Sequence, residues 1–120
     1  NEVNHQLLIR YTQIDYDREI AIIAETDENG IKKMAGVVRL IADAYNETAE
    51  FAIVVADPWQ NQGLGNKFTD YILQIAREKG IKKVYAYVLE DNRVMLQMFR
   101  KRGFKVITKD GNFYAELKLA

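Results

Sequence analysis

The amino-acid sequence predicts an α+β (mixed α/β) domain in which helices flank a mixed β-sheet. Three observations support this fold class. Residues 51–55 form an apolar run rich in β-branched side chains, which indicates a buried strand. The dipeptides Asn29-Gly30 and Asp110-Gly111 each lie between apolar runs, which is typical of β-hairpins. Two amphipathic segments that each end at a glycine indicate helices.

The N-terminal half is predicted to form a hairpin followed by a third strand. Residues 20–24 and 34–42 are the expected hairpin strands, and residues 14–19 before them are expected to be a short connection. Residues 47–56 supply the next strand. Pro58 closes that strand because proline has no N–H to donate to a ladder.

The first helix is predicted to begin at Leu64 and to end at Gly80, where glycine can adopt the left-handed conformation of a helix cap. Its apolar residues recur at helical spacing, with Tyr71 and Ala76 beside them. These residues are Phe68, Ile72 and Ile75. A strand over residues 83–89 is expected to follow.

The second helix is predicted to begin after a cap at Asp91 or Asn92 and to end at Gly103. One apolar face is expected to face the core, and it comprises Val94, Met95, Met98 and Phe99. Residues 104–108 and 113–119 are the expected strands of the last hairpin. The predicted order is hairpin, strand, helix, strand, helix, hairpin.

Composition limits the kinds of partner and chemistry. The chain has 17 basic and 17 acidic residues, and a net charge of zero argues against electrostatic capture of nucleic acid or of an anionic membrane. The sequence has no cysteine, so it predicts neither a disulfide nor a thiolate nucleophile, and a reducing cytoplasm is the expected location. His5 is the sole histidine and is expected to be exposed, so we predict no metal site. We find no apolar run long enough to span a bilayer, and the first residues lead us to expect no signal peptide.

A glycine-bearing turn stands between the strand at residues 51–55 and the first helix. Gly63 and Gly65 allow the backbone of residues 60–66 to curl, so that consecutive N–H groups point at one spot. The N-terminus of a helix favours a pyrophosphate at such a spot. A Walker loop is excluded because no Gly-Lys-Ser/Thr follows, and a dinucleotide fingerprint is excluded by Phe68.

Two motifs resemble those of one family. Gln60, Gly63 and Gly65 fit the pattern Gln/Arg-x-x-Gly-x-Gly/Ala, which resembles the coenzyme A pyrophosphate loop of the GNAT superfamily of N-acetyltransferases. Asn92, which opens a helix that ends in Gly103-Phe104, resembles the later signature of the same family. The resemblance implies a mostly antiparallel sheet whose strands ending near Ala56 and Leu89 splay apart to admit the pantetheine arm.

A narrower resemblance covers nearly the whole chain. Residues 10–19 and 49–53 resemble the acetyltransferase domain of bacterial protein lysine acetyltransferases, which is often fused to an NDP-forming acyl-CoA synthetase-like region. It implies a protein acceptor with an exposed lysine, and an acyl-CoA synthetase is the natural candidate. Residues 1–120 are one domain, short for this type, so we expect an excised piece of a longer chain that lacks the N-terminal part of the fold.

The resemblance assigns acetyl-CoA as the co-substrate and gives it a set of contacts. Asn92 is expected either to hydrogen-bond the pantetheine arm or to cap its helix, and one residue can do both. A backbone N–H near residues 54–56 is the expected donor to the developing oxyanion. The expected contacts are Val54, Val55, Ala56, Gln60, Asn61, Gln62, Gly63, Leu64, Gly65, Asn66 and Asn92.

Acetyl transfer to an amine requires a base, because a free lysine titrates near about 10.4. Glu50 begins the strand that leads into the cofactor turn and shares a face with Ala52 and Val54. From the residues alone, a solvated carboxylate at a strand edge is the simpler interpretation. The resemblance makes Glu50 the general base, acting directly or through water.

The general acid departs from the family pattern. Phe99 stands where many members carry a tyrosine that protonates the departing thiolate, and phenylalanine has no proton to give. Water, Tyr85, Tyr87 or Tyr114 remain as donors.

Three functions stay open at this point. The first is transfer of acetyl to a protein lysine by direct attack in a ternary complex, since no cysteine is available for a covalent intermediate. The second is a regulatory module that senses acetyl-CoA with little transferase activity. The third is a small-molecule amine acetyltransferase. A charged cluster could face an incoming protein or could be a solvated face, and it comprises Asp15, Asp17, Arg18 and Glu19.

Overall fold

The computed structural model describes residues 8–56, 59–60 and 63–120. Within these residues the chain forms seven strands and two helices. The strands form one sheet of order β1-β2-β3-β4-β5-β7-β6. The elements are β1 (Leu8–Asp15), β2 (Glu19–Glu28), β3 (Ile31–Ala42), β4 (Thr48–Val55), α1 (Leu64–Glu78), β5 (Lys83–Val88), α2 (Arg93–Lys101), β6 (Lys105–Lys109) and β7 (Asn112–Lys118).

The sheet is antiparallel except where β4 meets β5. These two strands pair in parallel, and their pairing covers three residue pairs, from Thr48 opposite Lys83 to Glu50 opposite Tyr85. Both strands continue beyond that point. We call the space between residues 51–55 of β4 and 86–88 of β5 the strand gap. It confirms the predicted mixed, mostly antiparallel sheet that splays between these two strands.

Both predicted hairpins are present. Asn29 and Gly30 have φ angles of 55° and 83°, and Asp110 and Gly111 have φ angles of 51° and 82°. Two consecutive residues with positive φ characterise the type I′ turn, whose twist matches that of the flanking strands. The sequence signal therefore reflects backbone chemistry, because glycine and asparagine or aspartate tolerate this conformation best.

The two helices pack on the same face of the sheet. Phe51 of β4 lies edge-on to Phe99 of α2, with ring centroids 5.5 Å apart. Ile53, two residues further along β4 and therefore on the same face, lies beside the N-terminal turn of α1 at Gly65. Met98 of α2 accepts a hydrogen bond from the Thr69 hydroxyl of α1 at 3.4 Å. One face of the sheet is thus covered by helices, while Glu50 belongs to the other face.

The structure departs from the predicted elements in three places. The edge strand β1 was not predicted. Its residues Ile9 and Tyr11 are half-buried against the core, but the alternation of apolar and polar residues along the rest of the strand is weak. The expected connection over residues 14–19 is shorter, because Asp15 ends β1 and Glu19 begins β2. Val94 was expected in the core, yet 62% of it is exposed, and Leu96 is buried on α2 instead.

Candidate active site

The strand gap exposes backbone groups of β4. The amide of Ala56 donates to the carbonyl of Ala35 on β3 at 2.8 Å. Because N–H groups alternate sides along a strand, the N–H of Val54 also points to β3, and the N–H groups of Ile53 and Val55 point into the strand gap. Of the three residues expected to supply an oxyanion donor, Val55 is therefore the one whose amide faces the gap. The Ala56 amide is already engaged.

Gln60 connects the strand gap to the turn that follows β4. Its Nε2 donates to the carbonyl of Val55 at 3.1 Å. This bond fixes the direction in which the chain leaves β4. Asn61 and Gln62, which were also expected to contact the cofactor, and Pro58 lie outside the described residues.

The N-terminus of α1 is built to present backbone amides. Gly63 is the N-cap residue, with a φ angle of 85° and ψ of −1°, and no side chain of the described residues caps it. The first helical bond runs from the Lys67 amide to the Gly63 carbonyl at 3.1 Å, so the amides of Leu64, Gly65 and Asn66 precede the helical ladder. The first turn carries no acidic residue. Such an end favours an anion.

The glycines near α1 differ in what a side chain at each position would disturb. Gly63 adopts a positive φ angle that side chains disfavour. A Cβ on Gly65 would meet the Met98 sulfur at 3.6 Å and Ile53 at 3.9 Å, which are ordinary contacts. Gly36 of β3, which the sequence did not single out, is the crowded one. A Cβ there would lie 2.8 Å from the Val54 carbonyl and 2.9 Å from the Phe68 ring, so Gly36 allows α1 to approach the sheet.

Glu50 lies at the mouth of the strand gap. It is half-buried, shares its face with Ala52 and Val54 as expected, and is the last β4 residue that pairs with β5. Its neighbours across the sheet are Ile41 of β3 and Tyr85 of β5. Among the described residues, no hydrogen bond or ion pair engages its carboxylate. A proton from an approaching amine could therefore be accepted without first breaking a contact.

Two tyrosines, one on β5 beside Glu50 and one on β7, have raised pKa values. Burial raises the pKa of Tyr85, and the nearby charge of Glu50 raises it further. Burial and a hydrogen bond to Glu116 raise the pKa of Tyr114 to about 12, and its hydroxyl donates to Glu116 at 3.0 Å. Both phenols are neutral at pH 7. The hydroxyl of Tyr114 is thus engaged, and Tyr85 is the tyrosine that pairs directly with Glu50.

Phe99 and Asn92 make contacts that stabilise the fold. Phe99 is 1% exposed and packs against Phe104, with ring centroids 4.6 Å apart. Asn92 is the N-cap of α2, and its Oδ1 accepts a hydrogen bond from the Met95 amide at 3.1 Å. This settles which residue caps α2, while a contact between Asn92 and pantetheine stays a prediction.

Other predicted features are distributed over the surface. Glu19 of the charged cluster forms an ion pair with Arg39 on β3, which is a structural role. In the described part of the chain, no group of three metal-ligating side chains is found, and His5 lies outside that part. None of the described helices is both long and apolar enough to cross a membrane.

The described residues thus form a sheet that opens between two parallel strands, with a helix N-terminus beside the opening, which is the architecture expected of an N-acetyltransferase. Comparison with known proteins agrees. Residues 2–104 match the Acetyltransferase (GNAT) family, and the chain belongs to that family.

Individual relatives show how far the similarity extends. An acetyltransferase of Pseudomonas aeruginosa is 28% identical over 103 residues, which are 86% of this chain and 55% of that protein. The mycothiol acetyltransferase of Thermobifida fusca is 39% identical over 62 residues, which are 51% of this chain and 19% of that protein. The crystal structure of the GNAT domain of S. lividans PAT superposes with a TM-score of 0.73 at 26% identity, covering 98% of this chain and 68% of that domain. The chain thus spans about half the length of the Pseudomonas relative.

Proposed function

We propose that this domain binds acetyl-CoA and transfers the acetyl group to a primary amine, and that the amine is a lysine side chain of another protein. The observation that carries the proposal is the strand gap beside the glycine-capped N-terminus of α1. Family membership supports acetyl transfer in general, because GNAT acetyltransferases use acetyl-CoA.

The described residues fit acetyl-CoA. The amides of residues 64–66 and the positive end of the α1 dipole suit a pyrophosphate, and no acidic side chain in the first turn opposes it. Gly65 has no side chain to hinder close approach to its backbone. The strand gap leaves β4 backbone groups without a sheet partner, so that an amide-bearing arm such as pantetheine could replace the missing strand. Asn92, the N-cap of α2 that follows β5, is a further proposed contact.

The chemistry assigned to the chain needs few groups. Bound acetyl-CoA would supply the acetyl thioester. Glu50 takes a proton from the acceptor ammonium, which leaves a neutral amine able to attack directly. The Val55 amide faces the strand gap and is our proposed donor to the oxygen on which negative charge develops. Because Phe99 cannot give a proton and the Tyr114 hydroxyl is engaged with Glu116, water, Tyr85 or Tyr87 is the proposed source for the departing thiolate.

A protein acceptor is favoured by the resemblance of residues 10–19 and 49–53 to bacterial protein lysine acetyltransferases, and by the similarity to the S. lividans PAT domain at 26% identity. An acyl-CoA synthetase in the cytoplasm is the acceptor we propose to test first. A small-molecule amine is the second candidate, because the Thermobifida fusca relative is named a mycothiol acetyltransferase.

The first experiment is calorimetric titration of the 120-residue chain with acetyl-CoA. Gly63→Glu places charge at the proposed phosphate site, and Gly80→Glu is a matched control. Both glycines have positive φ angles, of 85° and 79°, and an added Cβ meets nothing within 4 Å at either. The backbone strain is therefore similar, but Gly80 lies at the opposite end of α1. Micromolar binding lost in Gly63→Glu alone is the expected result, and equal loss in both variants would contradict the assigned site.

Acceptor class is decided by transfer assays with the same chain. Acetylation of an acyl-CoA synthetase lysine, detected by mass spectrometry, supports the protein acceptor. Acetylation of small amines alone would replace it with the second candidate. Binding of acetyl-CoA without transfer to any amine would show that the domain is a sensing module.

A further inference from the structure

Three tyrosines form one aromatic surface on the face of the sheet opposite the two described helices. Tyr85 and Tyr87 are two residues apart on β5, and Tyr114 lies opposite Tyr87 on β7, so all three point to the same face. Their ring centroids are 5.5 to 6.0 Å apart. We call this surface the tyrosine platform. Tyr87 is 56% exposed, whereas the intervening Ala86 is buried against the helices.

The tyrosine platform already holds an ammonium group. The Nζ atom of Lys109 lies 5.6 Å from the ring centroid of Tyr87 and 5.4 Å from that of Tyr114. Both distances are within the range of cation–π attraction. Lys109 is the last residue of β6, and its exposed side chain lies next to the hairpin turn, so it can leave the rings without any change in the sheet.

Charge around the tyrosine platform also favours a cation. Glu116 accepts the hydrogen bond of the Tyr114 hydroxyl, and the negative charges of Glu50 and Asp43 both act on Tyr85. Lys83 pairs with Glu116 at 3.6 Å, whereas the carboxylate of Glu50 has no ion pair among the described residues. The charge of Glu50 is therefore available to attract a cation.

The platform is continuous with the proposed general base. Tyr85 pairs with Glu50 on the adjacent strand, so the two Cα atoms are about 5 Å apart, the spacing of neighbouring strands. Tyr87 is one more step along β5, about 7 Å from Tyr85. An ammonium group over Tyr87 therefore has to move by less than about 10 Å, past Tyr85, to reach Glu50.

We propose that the tyrosine platform is the acceptor subsite, where the primary alkylammonium of the second substrate displaces Lys109 and is directed past Tyr85 to Glu50. The inference rests on the proposed function and narrows its acceptor to cationic amines on unbranched alkyl chains, of which the lysine side chain is one. Aromatic amines and neutral acceptors lack the charge that the rings and carboxylates recognise.

The test begins with binding that needs no catalysis. The chain carries ¹³C-labelled tyrosine rings and is titrated with n-butylammonium chloride, with n-butanol and sodium chloride as controls. Saturable shifts of the platform rings with the ammonium alone are expected, at lower concentration in Lys109→Met, because that variant removes the internal competitor. Shifts that are equal with butanol, or no shifts, would overturn the subsite.

Kinetics gives the second readout. Tyr87→Leu is expected to raise KM for a lysine acceptor roughly 2- to 30-fold, the range of a cation–π contact, while Tyr87→Phe retains the ring and the wild-type KM. Tyr16→Leu replaces another exposed tyrosine outside the platform and is the control. Lys109→Met should lower KM. An unchanged KM in Tyr87→Leu, in a variant that still melts cooperatively and binds acetyl-CoA, overturns the subsite and leaves the proposed function standing. Platform shifts in a chain that fails to bind acetyl-CoA would support the ammonium site and contradict the proposed function alone.

Discussion

At the scale of single residues, position in the sheet separates Glu50 from the other carboxylates of the described residues. It is the last β4 residue paired with β5, and the strand gap begins directly after it. A carboxylate at this point borders both the proposed cofactor site and the tyrosine platform. Its neighbours, and not its residue type, are the reason to assign it a catalytic role.

We expect Glu50→Gln to lower kcat/KM for an amine acceptor by about 10² to 10⁴, the usual contribution of a general base. Glutamine keeps the shape but cannot accept the proton. The residual rate should rise with pH as the acceptor amine deprotonates without help, and the Kd for acetyl-CoA should not change. Glu47→Gln is the control, since Glu47 lies just before β4 and pairs with Lys82 at 3.6 Å. An undiminished rate in Glu50→Gln would remove the residue from the mechanism.

Gly65 and Gly36 allow a role in ligand binding to be separated from a role in packing. Gly65→Ala meets only ordinary contacts, so we expect a gain of up to about 1 kcal/mol in unfolding free energy from helix propensity. We nonetheless expect weaker acetyl-CoA binding, because the proposed function places the phosphates against the backbone of residues 64–66, where a methyl group leaves less room. Thermal melts and calorimetry on the same variant check both effects.

Gly36→Ala is the comparison variant. Its Cβ would clash with Phe68 at 2.9 Å and with the backbone of β4, so a loss of about 1 to 3 kcal/mol is expected. If Gly65→Ala instead destabilised the fold as Gly36→Ala does, the explanation of Gly65 through its ligand would be wrong.

At the scale of elements, the cap of α2 can be tested against its proposed second role. Asn92→Ala removes the acceptor of the Met95 amide and should cost about 1 kcal/mol of unfolding free energy, whereas Asn92→Ser retains a capping oxygen. If the Asn92 amide also binds pantetheine, both variants should weaken acetyl-CoA binding. Binding that weakens only in proportion to lost stability would assign Asn92 to the cap alone. Denaturant melts and calorimetry supply the two measurements.

The contact between the two helices has a pH dependence with a defined sign. Arg102 of α2 donates two hydrogen bonds to the carboxylate of Asp70 on α1, at 2.8 and 3.1 Å, and these bonds lower the pKa of Asp70. A lowered folded-state pKa stabilises the fold above the unfolded value of about 3.9, and this contribution is lost as pH falls through the folded-state pKa. Asp70 is largely exposed, so the contribution is small.

Asp70→Asn should therefore lower the unfolding free energy at pH 7 by no more than about 1 kcal/mol. The difference from wild type should shrink toward zero in acid, as the pH falls below the lowered folded-state pKa of Asp70. Asp17→Asn, at an exposed carboxylate without an ion pair among the described residues, should change stability at neither pH. Urea melts at both pH values measure this, and a difference that persists in acid would contradict the ion-pair explanation.

Most elements were predictable because their signals are local. Asn29-Gly30 and Asp110-Gly111 specify turns by backbone conformation, and Gly63 and Gly80 mark the ends of α1 in the same way. β1 was missed because an edge strand is partnered on one side and buries few side chains, so that its alternation is weak. Val94 was misplaced because helical spacing alone does not say which of two adjacent apolar stripes faces the sheet.

At the scale of the whole molecule, ligand binding should be visible as stability. A ligand that binds only the folded state at 100 times its Kd adds about 2.7 kcal/mol. For a domain of this size we expect the melting temperature to rise on the order of 10 °C with acetyl-CoA. Acetate at the same concentration is the control ligand and should have no effect. Absence of a shift in a chain that melts cooperatively would contradict acetyl-CoA binding.

Some parts of the candidate site could be predicted from the sequence, whereas others depend on how the strands pair. The turn at Gly63 and Gly65 is contiguous in the chain, so its pattern was readable. The narrowing of the oxyanion donor to Val55 required the pairing of β4 with β3, and the tyrosine platform required the register of β5 against β7. Crowding at Gly36 comes from Phe68, which is 32 positions away in sequence (68 minus 36) and meets it only in the folded chain.

The short parallel pairing of β4 with β5 also has a mechanical consequence. Strands β1–β4 form one block of the sheet and strands β5–β7 form another, and only three residue pairs of the described strands connect the two blocks. Within each block the strands pair over longer antiparallel ladders. The hydrogen-bonded contact between the two blocks of the sheet is therefore short. On the helix side, Arg102 at the end of α2 forms an ion pair with Asp70 of α1. A molecule bound in the strand gap would contact both blocks where they are not paired with each other. A change that strengthens the association of the two blocks in the bound form would then also raise the affinity for that molecule, and a change that weakens it would lower the affinity.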